Sequence, residues 1–373
     1  MTSPNPDLSV NAAHLAAWNT SERRRSSFRR LQDIQRRGLS FRSPTVQPLA
    51  VAENHALATI PALKRLLDEA CFCALVIAQD DRIVLERHAA DFATDRLHSM
   101  QSITKTFAHL ALGRLVETGL VNPARLVGFY VPEAGDAYAR ASVQQVLDMD
   151  IASNFEEDYA APYAPCPARG EPVGYARQEI AMGWRLPPDG EAEFGVRSFA
   201  AGLVSAPRSD GRTTRYASPN TDMLGWVIER ASGRSLASHV DEIVAEAGLA
   251  ATFHVSADCE GVPVLSGGGM MTARDLARYG LLIARRGGAL MRDAMSGDGT
   301  RYGGSPTVRY RNHLMSNGTW VGHPGYAGQF LMVDPAKQAA AAFFSVLETA
   351  YGEREGYFAD VMSGLETVLR QLD

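Results

Sequence analysis

The stretch Ser99-Met100-Gln101-Ser102-Ile103-Thr104-Lys105-Thr106-Phe107-Ala108-His109-Leu110-Ala111-Leu112-Gly113-Arg114-Leu115 decides how the chain is read. Apolar residues at Ile103, Phe107, Leu110, Ala111 and Leu115 recur at helical spacing, and Gly119 closes the run. Ser102 and Lys105 stand three apart at the start of that helix, so they share a face one turn apart. Lysine is scarce here: Lys64, Lys105 and Lys337 are the only three among 37 basic side chains, the rest being arginine. Arginine keeps its proton at any working pH, whereas a lysine that is desolvated or set near positive charge gives it up. A helix start is positive by its dipole, and burial penalises an ammonium further. Both favour a neutral amine able to take the hydroxyl proton of Ser102. The plainer reading is a capping serine beside a solvated lysine, and the tetrapeptide alone does not decide between them.

Upstream, Ile60–Ala70 has the pattern of a helix. Cys73–His88 reads as two strands joined at Gln79-Asp80-Asp81. Downstream, a short helix is expected around Val143–Met149, and long loops over 152–190, where Pro, Gly, Tyr and Glu abound and periodicity is lost. Helices are expected at Thr221–Ser232, ended by Gly233, and at Thr272–Arg286, ended by Gly287-Gly288. Gln329–Ser345 reads as a hairpin turning at Asp334-Pro335, followed by a last helix from about Arg354 to Leu372. Strands near both ends with helices between them predict an α/β (α+β) protein. Its central antiparallel sheet is built from both chain ends and flanked by helices, with a mostly helical insert. The expected divisions are an N-terminal arm over 1–50, a sheet domain from 51–97 and 267–373, and a helical domain over 98–266.

The 373 residues are 46% hydrophobic and 21% charged, with a net charge of −5, which gives no ground for nucleic-acid binding. Eight arginines between Arg23 and Arg42, interleaved with Trp18, Phe28, Leu31, Ile34 and Phe41, are read as a wrap whose charges pair with acidic surface rather than as a nucleic-acid arm. No apolar run approaches a membrane span and no signal peptide is recognised, so the cytoplasm is the expected compartment. Cys71, Cys73, Cys166 and Cys259 are read as free thiols. The nine histidines form no His-x-His or His-Glu-x-x-His pattern, so neither metal nor cofactor is expected. Gly-x-Ser-x-Gly and the phosphate-loop and dinucleotide fingerprints are absent.

Two further motifs carry chemistry. Tyr216-Ala217-Ser218 precedes a helix, and a phenol there could pass a proton to a leaving group, its pKa lowered by a neighbouring lysinium. His323-Pro324-Gly325-Tyr326-Ala327-Gly328 enters the C-terminal hairpin. Its glycines allow close backbone approach to a ligand, and a strand edge there can donate an N–H to an oxyanion alongside the N–H of Ser102.

The order and spacing of Ser-x-x-Lys at 102, Tyr-x-Ser at 216 and His-x-Gly at 323 resemble the penicillin-recognising serine hydrolases. The nearest groups are class C β-lactamases, β-lactamase-like esterases and, most of all, the 6-aminohexanoate-dimer hydrolase branch. Further segments carry the resemblance from about Arg29 onward: Val146-Leu-Asp-Met149, Glu157-Asp-Tyr159, Gly183-Trp-Arg185, Thr221-Asp-Met-Leu224, Thr272–Arg278, Gly328-Gln329 and Asp334-Pro335. Ser-Asp-Asn and Lys-Thr-Gly are missing, so a class A reading fails. The resemblance implies a β-lactamase/transpeptidase-like fold. It makes Ser102 the acyl-forming nucleophile, Lys105 its base and Tyr216 the proton donor to the leaving group. The backbone N–H groups of Ser102 and Tyr326 would form the oxyanion hole. It places Tyr159, Glu179, Ser266, His323 and Gly325 around the substrate, with Tyr159 assisting a leaving amide nitrogen and Glu179 binding a free amine. Glu179 is Asp in the dimer hydrolase, Ser266 replaces an amide side chain, and the loop between Tyr159 and Glu179 is longer.

The expected partner is a small ester or short linear amide, with no nucleic acid and no membrane, and with a homodimer left open. A β-lactamase or D-amino peptidase is the rival within the class. It is disfavoured because His323 replaces the lysine that helps bind a β-lactam carboxylate. A non-catalytic binding protein on the same scaffold is the rival from another class, and Ser102, Lys105 and Tyr216 together speak against it.

Overall fold

The computed structural model describes residues 12–159, 171–207, 215–302 and 305–373. Its centre is a nine-stranded sheet. The spatial order is Thr300–Arg301, Arg309–Arg311, Leu314–Ser316, Val321–Gly325, Gln329–Asp334, Ala339–Ser345, Phe72–Gln79, Arg82–His88 and Ala50–Val51. All neighbours are antiparallel except the last pair. The key seam joins the chain ends: Ala339–Ser345 pairs with Phe72–Gln79, with Ala340 opposite Ala78 and Ala342 opposite Val76. Side chains alternate faces along a strand, so each of these runs feeds two cores. Ala340, Ala342, Phe344, Val76 and Ala78 enter one cluster; Ala339, Ala341, Phe343, Leu75 and Ile77 enter the other. Burying one such phenylalanine contributes about 2–3 kcal/mol.

The alanine run allows the helix Ala273–Arg286 to lie close on one face: a Cβ on Gly280 would overlap Ala340. That helix starts where expected, Thr272 capping it through the Asp275 N–H. Tyr357–Arg370 and Pro61–Leu67 cover the other face, again in close approach, since a Cβ on Gly364 would meet Leu66. Helix Pro219–Ser232 ends at Gly233 with φ 66°, as its sequence predicts.

Several elements depart from expectation. A four-stranded sheet, in the order Gly38–Phe41, Phe253–Ser256, Gly269–Met271 and His98–Ser99, joins the arm to the middle of the chain. Helices Leu236–Ala247 and Gly288–Met295 are additional. Within 152–190, Tyr175–Ala181 is helical and Phe155–Glu156 pairs with Val173–Gly174; residues 160–170, with Cys166, lie outside the described ones. The other three cysteines are free.

The arm packs as a wrap. Trp18, Phe28, Leu31 and Ile34 are buried in the main core. Arg25 and Arg29 pair with Asp91, and Arg36 and Arg37 with Glu193. Arg24 is 1% exposed and donates to the carbonyls of Leu347, Thr349 and Ala350 and to Asn19. No helix among the described residues is long and apolar enough to cross a membrane.

Candidate active site

The segment carrying Ser102 is not one continuous α-helix. Gln101–Lys105 forms a 3-10 turn, and the α-helix runs from Thr106 to Glu117. Gln101 sits at φ 49°, an unfavourable conformation for a residue with a side chain, held by its bonds to the Ser99 hydroxyl. This bend turns Ser102 out to a cleft of about 540 Å³ and Lys105 inward. In the first turn the Ser102 N–H has no intrahelical acceptor.

Lys105 is completely buried at the entrance to the α-helix. Its Nζ reaches the Ser102 Oγ at 3.0 Å, the Ser218 Oγ at 3.0 Å and the Ser266 carbonyl oxygen. Burial pushes its pKa down to about 8, against the pull of Glu157 and Asp222. The plainer reading of a solvated lysine is therefore wrong. Asp222, in the first turn of Pro219–Ser232, is itself pushed up to about 7 by burial, with Ser266, Lys105 and Gln178 opposing.

Tyr216 lies beside this pair, its ring centroid 5.0 Å from the Lys105 Nζ. Its hydroxyl is buried, and no group among the described residues meets hydrogen-bonding geometry with it. The expectation that lysinium would lower its pKa is overturned: burial holds it well above the usual value, with Ser102 opposing. The Tyr216 phenol thus keeps its proton at neutral pH.

Two residues join the site without having been singled out. Ser218 donates its hydroxyl proton to Glu157 at 2.5 Å, and its N–H goes to the other Glu157 oxygen at 2.6 Å. Ser218 was visible in the Tyr216-Ala217-Ser218 motif and Glu157 in the segment Glu157-Asp-Tyr159, but neither was given a role. Tyr159 lines the cleft, donates to Glu157 at 2.9 Å and packs on Tyr326 with ring centroids 4.8 Å apart.

Tyr326 lines the cleft opposite, just after the strand Val321–Gly325, and its hydroxyl donates to the Tyr351 carbonyl. Among the described residues no backbone carbonyl accepts from its N–H. Gly325 brings this strand end against the turn that bears Ser102, because a Cβ there would overlap the Met100 carbonyl oxygen. Three other candidates do not line the cleft. Glu179 is buried and engaged by the Arg185 guanidinium at 2.6 and 2.8 Å, in a neighbouring cleft, so it presents no free anion beside Ser102. Ser266 contributes its carbonyl to Lys105, while its hydroxyl faces Met182. His323 is fully buried behind Tyr216: Nδ1 donates to the Pro324 carbonyl and Nε2 accepts from the Tyr310 hydroxyl. It is neither a surface histidine nor a wall of the cleft.

Burial keeps His98 and His313 down to about 3, His109 down to about 4, and His323 well below its usual value. Below about pH 6.5 the unfolded chain therefore binds protons that the folded chain refuses. Each such histidine costs up to about 1.4 kcal/mol per pH unit, and Asp222, with Asp148 and Glu179 whose pKa values burial also raises, works the other way. The urea midpoint is expected to fall between about pH 7 and 5.5; a flat midpoint would contradict neutral burial of this cluster.

The β-lactamase family model matches residues 73–359. The chain belongs to the β-lactamase family. It is accordingly an enzyme of the serine hydrolase type. Within the family it is 31% identical to the 6-aminohexanoate-dimer hydrolase of Paenarthrobacter ureafaciens over 284 residues, 74% of this chain and 69% of that one. A solved structure of a Bacillus anthracis protein assigned as a 6-aminohexanoate-dimer hydrolase superposes with a TM-score of 0.77 at 19% identity, covering 99% of this chain and 97% of the other. A D-stereospecific amidohydrolase from Streptomyces gives 0.57 at 19% identity, covering 83% and 98%. These two structural likenesses establish the β-lactamase-type fold.

Proposed function

We propose that the protein hydrolyses small carboxylic esters and short linear amides through an acyl-enzyme on Ser102, in the manner of a 6-aminohexanoate-dimer hydrolase. The observation that carries this reading is the fully buried Lys105, 3.0 Å from the Ser102 Oγ. A neutral lysine has two N–H groups and one lone pair. The Ser266 carbonyl and the Ser218 Oγ take the two N–H groups, which leaves the lone pair for the Ser102 hydroxyl. Ser102 Oγ then bonds to the acyl carbon as its proton passes to Lys105. The carbonyl oxygen, now negative, faces the N–H groups of Ser102 and Tyr326. Tyr216 gives its phenolic proton to the leaving alkoxide or amine and is reprotonated from Lys105. Water attacks the acyl-enzyme with Tyr216 or Lys105 as base and restores Ser102.

The cleft disfavours a β-lactam. Among the described residues Glu156, Glu157, Asp158 and Glu353 line it against one arginine, Arg215, and His323 offers no charge to a carboxylate.

Labelling with a fluorophosphonate probe followed by digestion tests the nucleophile: the adduct is expected on Ser102, and its absence there sinks the assignment. Turnover is expected for p-nitrophenyl butyrate and the linear aminohexanoate dimer. Turnover of nitrocefin alone would reverse the substrate preference.

A further inference from the structure

The geometry points to Glu157 as a positioning residue that fixes the hydrogen-bond direction around Lys105 and ties it to the loop bearing Tyr159, an inference that rests on the serine hydrolase reading above. One carboxylate joins three groups. Its Oε1 accepts from the Ser218 hydroxyl at 2.5 Å and from the Tyr159 hydroxyl at 2.9 Å, and its Oε2 from the Ser218 N–H at 2.6 Å. A carboxylate accepts and does not donate, so the Ser218 proton is committed to Glu157. The Ser218 oxygen can then only accept from Lys105, 3.0 Å away. Without Glu157, the Ser218 hydroxyl is free to turn its proton onto the lysine lone pair and compete with Ser102. Glu157 thereby decides which serine the base serves.

The same carboxylate holds the Tyr159 hydroxyl, while the Tyr159 ring packs on Tyr326, whose N–H faces the nascent oxyanion in the proposed mechanism. Base and cleft wall are thus held by one group. Its charge also favours the ammonium form of Lys105. The other groups facing Lys105 are Asp222 from the helix Pro219–Ser232, the Tyr216 ring, His313 from the turn before the strand Leu314–Ser316, and His323 from the strand Val321–Gly325. Replacing Glu157 also takes its charge away from the Tyr216 phenol, but burial, the larger cause, still keeps that phenol protonated, so a shift of the rising limb reports on Glu157 acting on Lys105.

The test is the rate of fluorophosphonate labelling of Ser102 against pH, in wild type, Glu157→Gln and Ser218→Ala, with melting temperatures as a folding control. Labelling needs neutral Lys105, so the rate rises with pH through its pKa. Removing the Glu157 charge lowers that pKa, and the rising limb of Glu157→Gln is expected to move to lower pH by about one unit. Its plateau is expected to fall about tenfold, the worth of one misdirected hydrogen bond. Ser218→Ala keeps the charge but removes the acceptor that turns one Lys105 N–H away from Ser102, so its plateau falls while its limb stays in place. A Glu157→Gln limb that coincides with wild type overturns the inference. Should that variant not fold, a wild-type plateau in Ser218→Ala overturns it instead. Absence of label on Ser102 in the wild type is a different result, which removes the underlying hydrolase reading.

Discussion

Replacing Lys105 with arginine is expected to lower hydrolysis of p-nitrophenyl butyrate about a thousandfold, within the range that general-base catalysis contributes. Two effects combine. Arginine does not deprotonate, so the variant lacks a lone pair for the Ser102 proton. Its guanidinium is also too large and too planar for a site in which Nζ is surrounded by the Ser102 and Ser218 hydroxyls and the Ser266 carbonyl. Lys105→Met separates these effects, because it fills the same channel as far as Cε without adding bulk, removes the charge and supplies no base. Loss of the same size in both variants, with folding retained, assigns the effect to the base. In wild type, kcat/KM is expected to rise through about pH 8, the value to which burial pushes Lys105. Below it the ammonium holds its proton; above it the amine is free. An arginine variant with more than about a tenth of wild-type activity would mean that another group removes the proton.

Gly325→Ala is expected to lower kcat about a hundredfold, the scale set by displacing a reacting group by about an ångström. A methyl group there overlaps the Met100 carbonyl oxygen, and backbone cannot yield as a side-chain tip does. The strand end must retreat from the turn bearing Ser102, carrying the Tyr326 N–H with it. The effect should fall on kcat more than on KM, since the donor is lost to the developing negative charge rather than to the bound ground state. Gly174→Ala is the matched control: φ is −82° there and the added methyl meets open space, so activity should stay within about twofold. A Gly325→Ala enzyme as active as this control would show that the strand end does not help to build the oxyanion site.

Much of the fold can be read from the sequence because its signals are local. The central seam consists of two apolar runs bounded by polar turns, Gln79-Asp80-Asp81 and Asp334-Pro335, and the structure pairs them. The helix Leu236–Ala247 was equally open to reading, with Ser235 as its cap and Leu236, Val240, Ile243, Val244 and Ala247 on its buried face. The four-stranded sheet was not. Its strands are two to four residues long, and Gly38–Phe41 finds its partner in Phe253–Ser256, more than 200 residues away. Tyr175–Ala181 was hidden for another reason: Arg177, Gln178 and Glu179 are buried together with Ala176 and Ile180, so no apolar period marks the helix.

At the site, Ser102 and Lys105 were legible because their residue types and spacing fit one chemistry, and Tyr216 gained from its order along the chain. Glu179 was misplaced because nothing in the sequence reveals that Arg185 takes its charge. His323 was misread because β-strand alternation does not tell which face of Val321–Gly325 turns to the cleft. Glu157 was one of three acidic neighbours, and only the folded backbone aims its carboxylate at Ser218.

The reach of Arg24 has a consequence for how the protein is made. Its carbonyl partners at Leu347, Thr349 and Ala350 lie more than 320 residues later, and the strand Phe72–Gln79 waits for Ala339–Ser345. A ribosome therefore releases the nucleophile helix long before it releases the segment that faces it, and the arm can complete its docking only once residues 347–350 have emerged. The nascent chain carries Ser102 and Lys105 without a finished cleft. Catalytic competence waits for residues 339–350 to emerge, and a guanidinium made more than 320 residues earlier then fastens them.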